Sequence, residues 1–203
     1  EAPPDHRRLA VAAEAARILQ EEGITDFRAA KAKAAERLGF GRGTPLPDNV
    51  EIEAALAERG RIFLPEAQPL LIDELRLAAL DMMEKLAVFN PRLVGHVLRG
   101  TATPDSTIEL HLFADTVEEV AAALDELGLP HRPATRRQRF RRDEVEEIPG
   151  CRFLAAEREF MACVYPLRMR GQAPLSPVDG RPMQRAGARE VAGLLPQRLP
   201  TST

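Results

Sequence analysis

Apolar positions in the first ninety residues recur at helical spacing. Leu9, Ala13, Ala16 and Leu19 predict a helix over 5–22, with Asp5 as its cap and Gly23 as its stop. Phe27, Ala30, Ala34 and Leu38 predict a second over 27–38, between Asp26 and Gly39. A third, over 49–63, carries Ile52, Ala55, Leu56 and Ile62, and Asp48 with Glu51 forms an acidic capping box at its start. The glycines and prolines of GFGRGTPLP make the preceding connection a loop. The fourth helix, over 69–88, places Ile72, Leu75, Ala79, Met82 and Leu86 on one side, and Asn90-Pro91 closes it.

After Pro91 the period changes. Leu93, Val94, Val97 and Leu98 predict a strand over 93–98, followed by a turn at Gly100 and Thr101 and a short polar connection. Ile108, Leu110 and Leu112 then alternate with Thr107, Glu109 and His111, which predicts a strand over 107–113. That alternation buries the aliphatic set on one face and projects a carboxylate and an imidazole together from the other. A helix over 116–127 uses Val117, Val120, Ala121, Leu124 and Leu127, and two further strands fall at 151–154 and 160–165. Residues 171–182 read as a Pro- and Gly-rich connector, with a short helix over 188–195. The predicted fold class is α/β (α+β), a mixed sheet with covering helices. Its regions are an N-terminal helical region (1–64), an α/β domain (69–166) and a C-terminal tail (167–203).

Composition changes this picture little. The 203 residues are 44% hydrophobic and 29% charged, as in ordinary globular proteins. A net charge of -3 gives no global attraction to nucleic acid, so such binding needs a local basic patch. No apolar run reaches the roughly 18 residues of a membrane span, and a cytoplasmic setting without a membrane partner is the expectation. Cys151 and Cys163 lack a metal-ligand spacing and read as buried thiols.

A strand, a glycine turn and a second strand bearing an acid at alternate positions resemble the nucleotidyltransferase superfamily related to DNA polymerase beta. Its members have a Gly-Ser pair after the first strand of the catalytic domain, then two acids spaced Asp-x-Asp or Asp-x-Glu on the next. Under that resemblance Gly100 and Thr101 are the phosphate-binding turn, and Glu109 is the catalytic, metal-binding carboxylate. Thr107 stands at the first acid position and Ala162 at the third, where neither supplies a charge. The family implies Mg²⁺, for which Glu109 and Asp105 are the remaining carboxylates, and a nucleotide or other phosphorylated small molecule as ligand. One acid in three matched positions implies that binding outlasts catalysis. Asp105, in TPDS, also reads as a turn-former, and His111 as a hydrogen-bonded histidine.

Two basic segments complete the candidates. HRPATRRQRFRR contains Arg132, Arg136, Arg137, Arg139, Arg141 and Arg142; a strand there puts Arg137, Arg139 and Arg141 on one face, a row suited to phosphates of RNA or DNA. The competing reading pairs these arginines with Asp143, Glu144, Glu146 and Glu147 in a charged hairpin. Arg28, Lys31, Lys33, Arg37 and Arg42 give the N-terminal helices a similar choice between a nucleic-acid or protein-binding surface and a solvated charged face.

Overall fold

A computed structural model describes residues 4–22, 24, 26–41, 43–141 and 144–196. Gly23, Arg42, Arg142 and Asp143 lie outside the described residues. The architecture is mixed α/β with an N-terminal helical region, and it divides into two compact units. The first takes the described residues up to Ile72 with Gly100–Ser106 and Ser176–Arg181; the second takes Asp73–Arg99, Thr107–Leu175 and the described residues from Pro182 onward. The expected 167–203 tail is thus shared between the units, and their boundary falls inside the fourth helix.

In the first unit α1 (Pro4–Glu21), α2 (Phe27–Arg37) and α3 (Asn49–Phe63) follow the predicted periodicity. Helix α1 starts at Pro4, one residue before Asp5. Asp26 caps α2 by accepting from Ala29 N, and the Asp48–Glu51 capping box is complete. The three helices bury Val11, Ala15, Ile18, Phe27, Ala30, Ala34, Ile52 and Leu56, and the alanines let the backbones approach closely.

Helix α4 (Ala67–Lys85) leads into the second unit, where β1 (Arg92–Val94) and α5 (Gly95–Arg99) replace the predicted 93–98 strand. The pattern Leu93, Val94, Val97, Leu98 repeats at a spacing of four, which suits a turn of helix as well as a strand. Gly95, at φ 73°, redirects the chain between the two. Then come β2 (Ile108–Phe113), α6 (Val117–Glu126), β3 (His131–Arg141), β4 (Glu144–Ala155), β5 (Arg158–Tyr165) and α7 (Ala188–Gly193). The sheet order is β1-β2-β5-β4-β3; only β2 and β5 are parallel neighbours. The arginine-rich segment is therefore an edge strand, longer than the predicted strands beside it.

Among the described residues no helix is long and apolar enough to cross a membrane. Cys151 and Cys163 are buried free thiols.

Candidate functional site

The alternation on β2 fixes the site. Ile108, Leu110 and Leu112 are fully buried, while Thr107, Glu109, His111 and Phe113 share the opposite side. Strand register extends that side across the sheet: Val94, Glu109, Met161, Arg152 and Arg132 form one row from β1 to β3. Met161, not Ala162, is therefore the β5 residue beside Glu109; Ala162 pairs with Leu110 and belongs to the other face.

Glu109 does not stand alone. Arg136 Nη2 donates to its Oε1 at 2.6 Å, with Glu109 mostly buried and Arg136 half-exposed. One step along the face, Thr107 Oγ1 donates to Glu159 Oε2 at 2.9 Å, and Arg152 Nη1 donates to both Glu159 oxygens at 3.1 Å. Burial alone would raise the Glu159 carboxyl, but the hydrogen bonds from Thr107 and Arg152 and the charges of Arg152 and Arg132 hold it below its ordinary value.

The other end of the face is closed. His111 is fully buried; Arg185 Nε donates to its Nδ1 at 3.0 Å, so that nitrogen is unprotonated and the Nε2 proton points to the Tyr165 hydroxyl at 3.3 Å. Desolvation first, then Arg185 and Arg136, holds the imidazole well below its ordinary pKa, so it is neutral. Arg185 Nη1 donates to the carbonyls of Met169, Arg170 and Gln172, and its guanidinium lies over the rings of Phe113 and Tyr165 at 5.2 and 5.0 Å. Burial pushes the Cys163 thiol up to about 12 and raises the Tyr165 hydroxyl, which leaves neither an available nucleophile.

The remaining sequence-predicted residues fall elsewhere. Gly100, at φ 79°, follows the last residue of α5, an end that presents carbonyls rather than amides, with those of Val97 and Leu98 accepting from Arg76, and Thr101 is buried. The glycine directly after β1 is Gly95, and a Cβ there would stand 3.5 Å from the Glu109 carboxyl carbon. Asp105 is exposed in the tight turn closed by Ser106 N to Thr103 O. Gly100, Thr101 and Asp105 belong to the first unit, Thr107 and Glu109 to the second. Among the described residues no three His, Cys, Asp or Glu side chains gather closely enough to hold a metal ion. With Glu109 already matched to a guanidinium, this donor set does not fit Mg²⁺.

Arg137, Arg139 and Arg141 do share one exposed side of β3, with Gln138 and Phe140 buried between them. A bulge separates Arg139 from Arg141, and Arg141 pairs with Glu144 at 3.5 Å. Arg137 faces Glu147 and Arg139 faces Val145 across the hairpin, and neither makes an ion pair among the described residues. In the first unit Lys33 and Arg37 instead pair with Glu22, each at 2.5 Å.

Sequence reasoning missed Arg136, Arg152 and Arg185. Strand alternation was the available signal for the first: if Arg137, Arg139 and Arg141 face one way, Arg132 and Arg136 face the other. For Arg185, beyond a proline-rich loop, the sequence carries no such signal. Comparison with protein-family models, curated proteins and solved structures finds no match to this chain.

Proposed function

We propose that this is a nucleotidyltransferase-like protein that binds a nucleotide or other phosphorylated ligand on the Glu109 face of its sheet, with nucleotidyl transfer weak or lost. The observation that carries the reading is the 2.6 Å contact from Arg136 to Glu109. A guanidinium there supplies the positive charge that a metal ion would otherwise bring to this carboxylate, and its planar fork suits a phosphate. Phosphoryl transfer depends on positioning and on charge stabilisation, usually by metal ions, so a site without clustered acids retains affinity before it retains turnover. A cytoplasmic setting belongs to the same proposal.

Calorimetric titration with a nucleoside triphosphate, in chelator and in Mg²⁺, tests it beside a radiolabel transfer assay. Binding that persists in chelator and weakens at least tenfold in Arg136→Gln is expected. Metal-dependent nucleotide transfer that disappears in Glu109→Gln would overturn the metal-free reading and make the protein an enzyme.

A second reading, RNA or DNA binding at Arg137, Arg139 and Arg141, is favoured by their exposure at alternate positions of an edge strand. Such binding falls steeply with salt and is lost when all three become glutamine.

A further inference from the structure

A second feature of the Glu109 face is unusual on electrostatic grounds. Register places Arg132 on β3 directly opposite Arg152 on β4, with both side chains on the same side. Like charges opposite one another in an antiparallel pair repel. The carboxylate that relieves them is Glu159, and it serves Arg152: both its oxygens lie 3.1 Å from Arg152 Nη1, whereas Arg132 Nη2 stays at 3.9 Å, beyond hydrogen-bond reach. Thr107 holds Glu159 in that position. Nε and Nη2 of Arg152, and every guanidinium N–H of Arg132, make no hydrogen bond among the described residues. Two guanidiniums thus share one carboxylate, with most of their donors unused.

These arginines line a cleft of about 360 Å³ together with Pro130, His131, Leu154 and Glu159. The cleft is shallow and open to solvent. Leu154, 62% exposed beside the β4–β5 turn, gives the cleft an apolar wall, so it joins two adjacent cations to a surface suited to a ring or hydrocarbon.

We propose that this cleft binds a phosphate monoester, its phosphate bridging Arg132 and Arg152 and its organic part lying against Pro130 and Leu154. The inference rests on the phosphorylated-ligand reading above and locates the phosphate. A phosphate dianion accepts paired N–H donors from each guanidinium and removes the repulsion between them. Arg136, on the same face of β3 but opposite Ile148, then serves the more distant phosphates of a longer ligand.

Calorimetry at low salt with adenosine monophosphate, with inorganic phosphate and with a nucleoside triphosphate separates the claims. Arg132→Gln is the main variant, because its side chain is 72% exposed and supports no packing; Arg136→Gln and Leu154→Ser accompany it. The monophosphate is expected to bind at least tenfold more tightly than inorganic phosphate. Arg132→Gln should weaken it tenfold or more and Leu154→Ser should narrow that gap, while a control at the exposed Arg168, Arg168→Gln, changes it less than twofold. Unchanged monophosphate affinity in Arg132→Gln, with triphosphate binding still lost in Arg136→Gln, overturns the cleft and leaves the broader reading standing. Equal affinity for monophosphate and inorganic phosphate overturns the role of the apolar wall. Failure of the parent protein to bind any of the three overturns both the cleft and the reading beneath it.

Discussion

One strand, β2, supplies both ends of the Glu109 face, yet the two ends are built on opposite terms. At the Thr107–Glu109 end arginines meet carboxylates at a partly open surface, and each guanidinium keeps unused donors. At the His111–Phe113 end a single arginine meets a neutral imidazole, three backbone carbonyls and two aromatic rings, and is closed in. Alternation in a strand chooses a side; the neighbours that arrive from β3, β5 and the 182–187 segment decide whether that side becomes a binding surface or a core.

The largest perturbation removes the frame that both ends share. A Cβ on Gly150 would collide with the Ala162 carbonyl oxygen, backbone against backbone, where β4 meets β5. Gly150→Val is expected to cost more than about 3 kcal/mol by urea denaturation, because the strands cannot separate locally without losing their ladder. A loss below about 1 kcal/mol would mean that β4 is not held to β5 there.

Next comes the direct contrast between the two arginines. Arg185→Gln strips donors from the buried His111 and from the partly exposed 169–172 turn, and should cost about 2 kcal/mol. Arg136→Gln breaks a half-exposed ion pair and should cost less than about 1 kcal/mol, while it affects ligand binding. Equal costs would erase the distinction between sealed and open ends.

Acid sharpens the same contrast. His111 has a folded-state pKa depressed below its unfolded value of about 6.5, so the folded state binds fewer protons. Its contribution is intact above the unfolded value and is lost as pH falls towards the folded one. Thermal stability should fall between about pH 6.5 and 5, by up to about 1.4 kcal/mol per pH unit from this one group, and His111→Gln should flatten that slope. Glu159, with its lowered carboxyl pKa, loses its contribution only further down, below about pH 4.5. A slope unchanged in His111→Gln would assign the acid loss elsewhere.

The smallest expected effect is a gain. Ala156 and Glu157 both adopt positive φ, 48° and 58°, in the two-residue turn from β4 to β5. Asn-Gly suits such a turn, so Ala156→Asn with Glu157→Gly should stabilise by about 0.5–1 kcal/mol in denaturant titration. A loss of stability would show that the open end relies on the native turn residues.

Much of the fold was legible because burial follows periodicity in helices and strands alike: α1, α2, α3, α6 and β2 lie within a few residues of their predicted bounds. Val97 and Leu98 misled because their spacing fits both periods over so short a run. The site was less legible, since it depends on which strands become neighbours. Nothing local to Glu109 reports that Met161 lies beside it or that Arg136 reaches it from β3. The resemblance implies a phosphate turn at Gly100, yet helix α5 ends at Arg99 just before it and Gly95 is the glycine next to the carboxylate. Arg185 illustrates the general difficulty: it acts 74 residues away from His111 through a segment with no periodicity of its own.

The chain contains one tyrosine and no tryptophan. That tyrosine, Tyr165, is packed at 4.6 Å from the His111 ring and beneath Arg185, so the intrinsic emission of the whole molecule originates at the sealed end of the face. An optical melting curve therefore watches one locus and is blind to the alanine-rich helical unit. Far-ultraviolet dichroism reports on the helices of both units, including α1, α2 and α3, which the tyrosine does not see. Recorded on one sample, the two signals separate the unfolding of the sheet unit from that of the helical unit without any label.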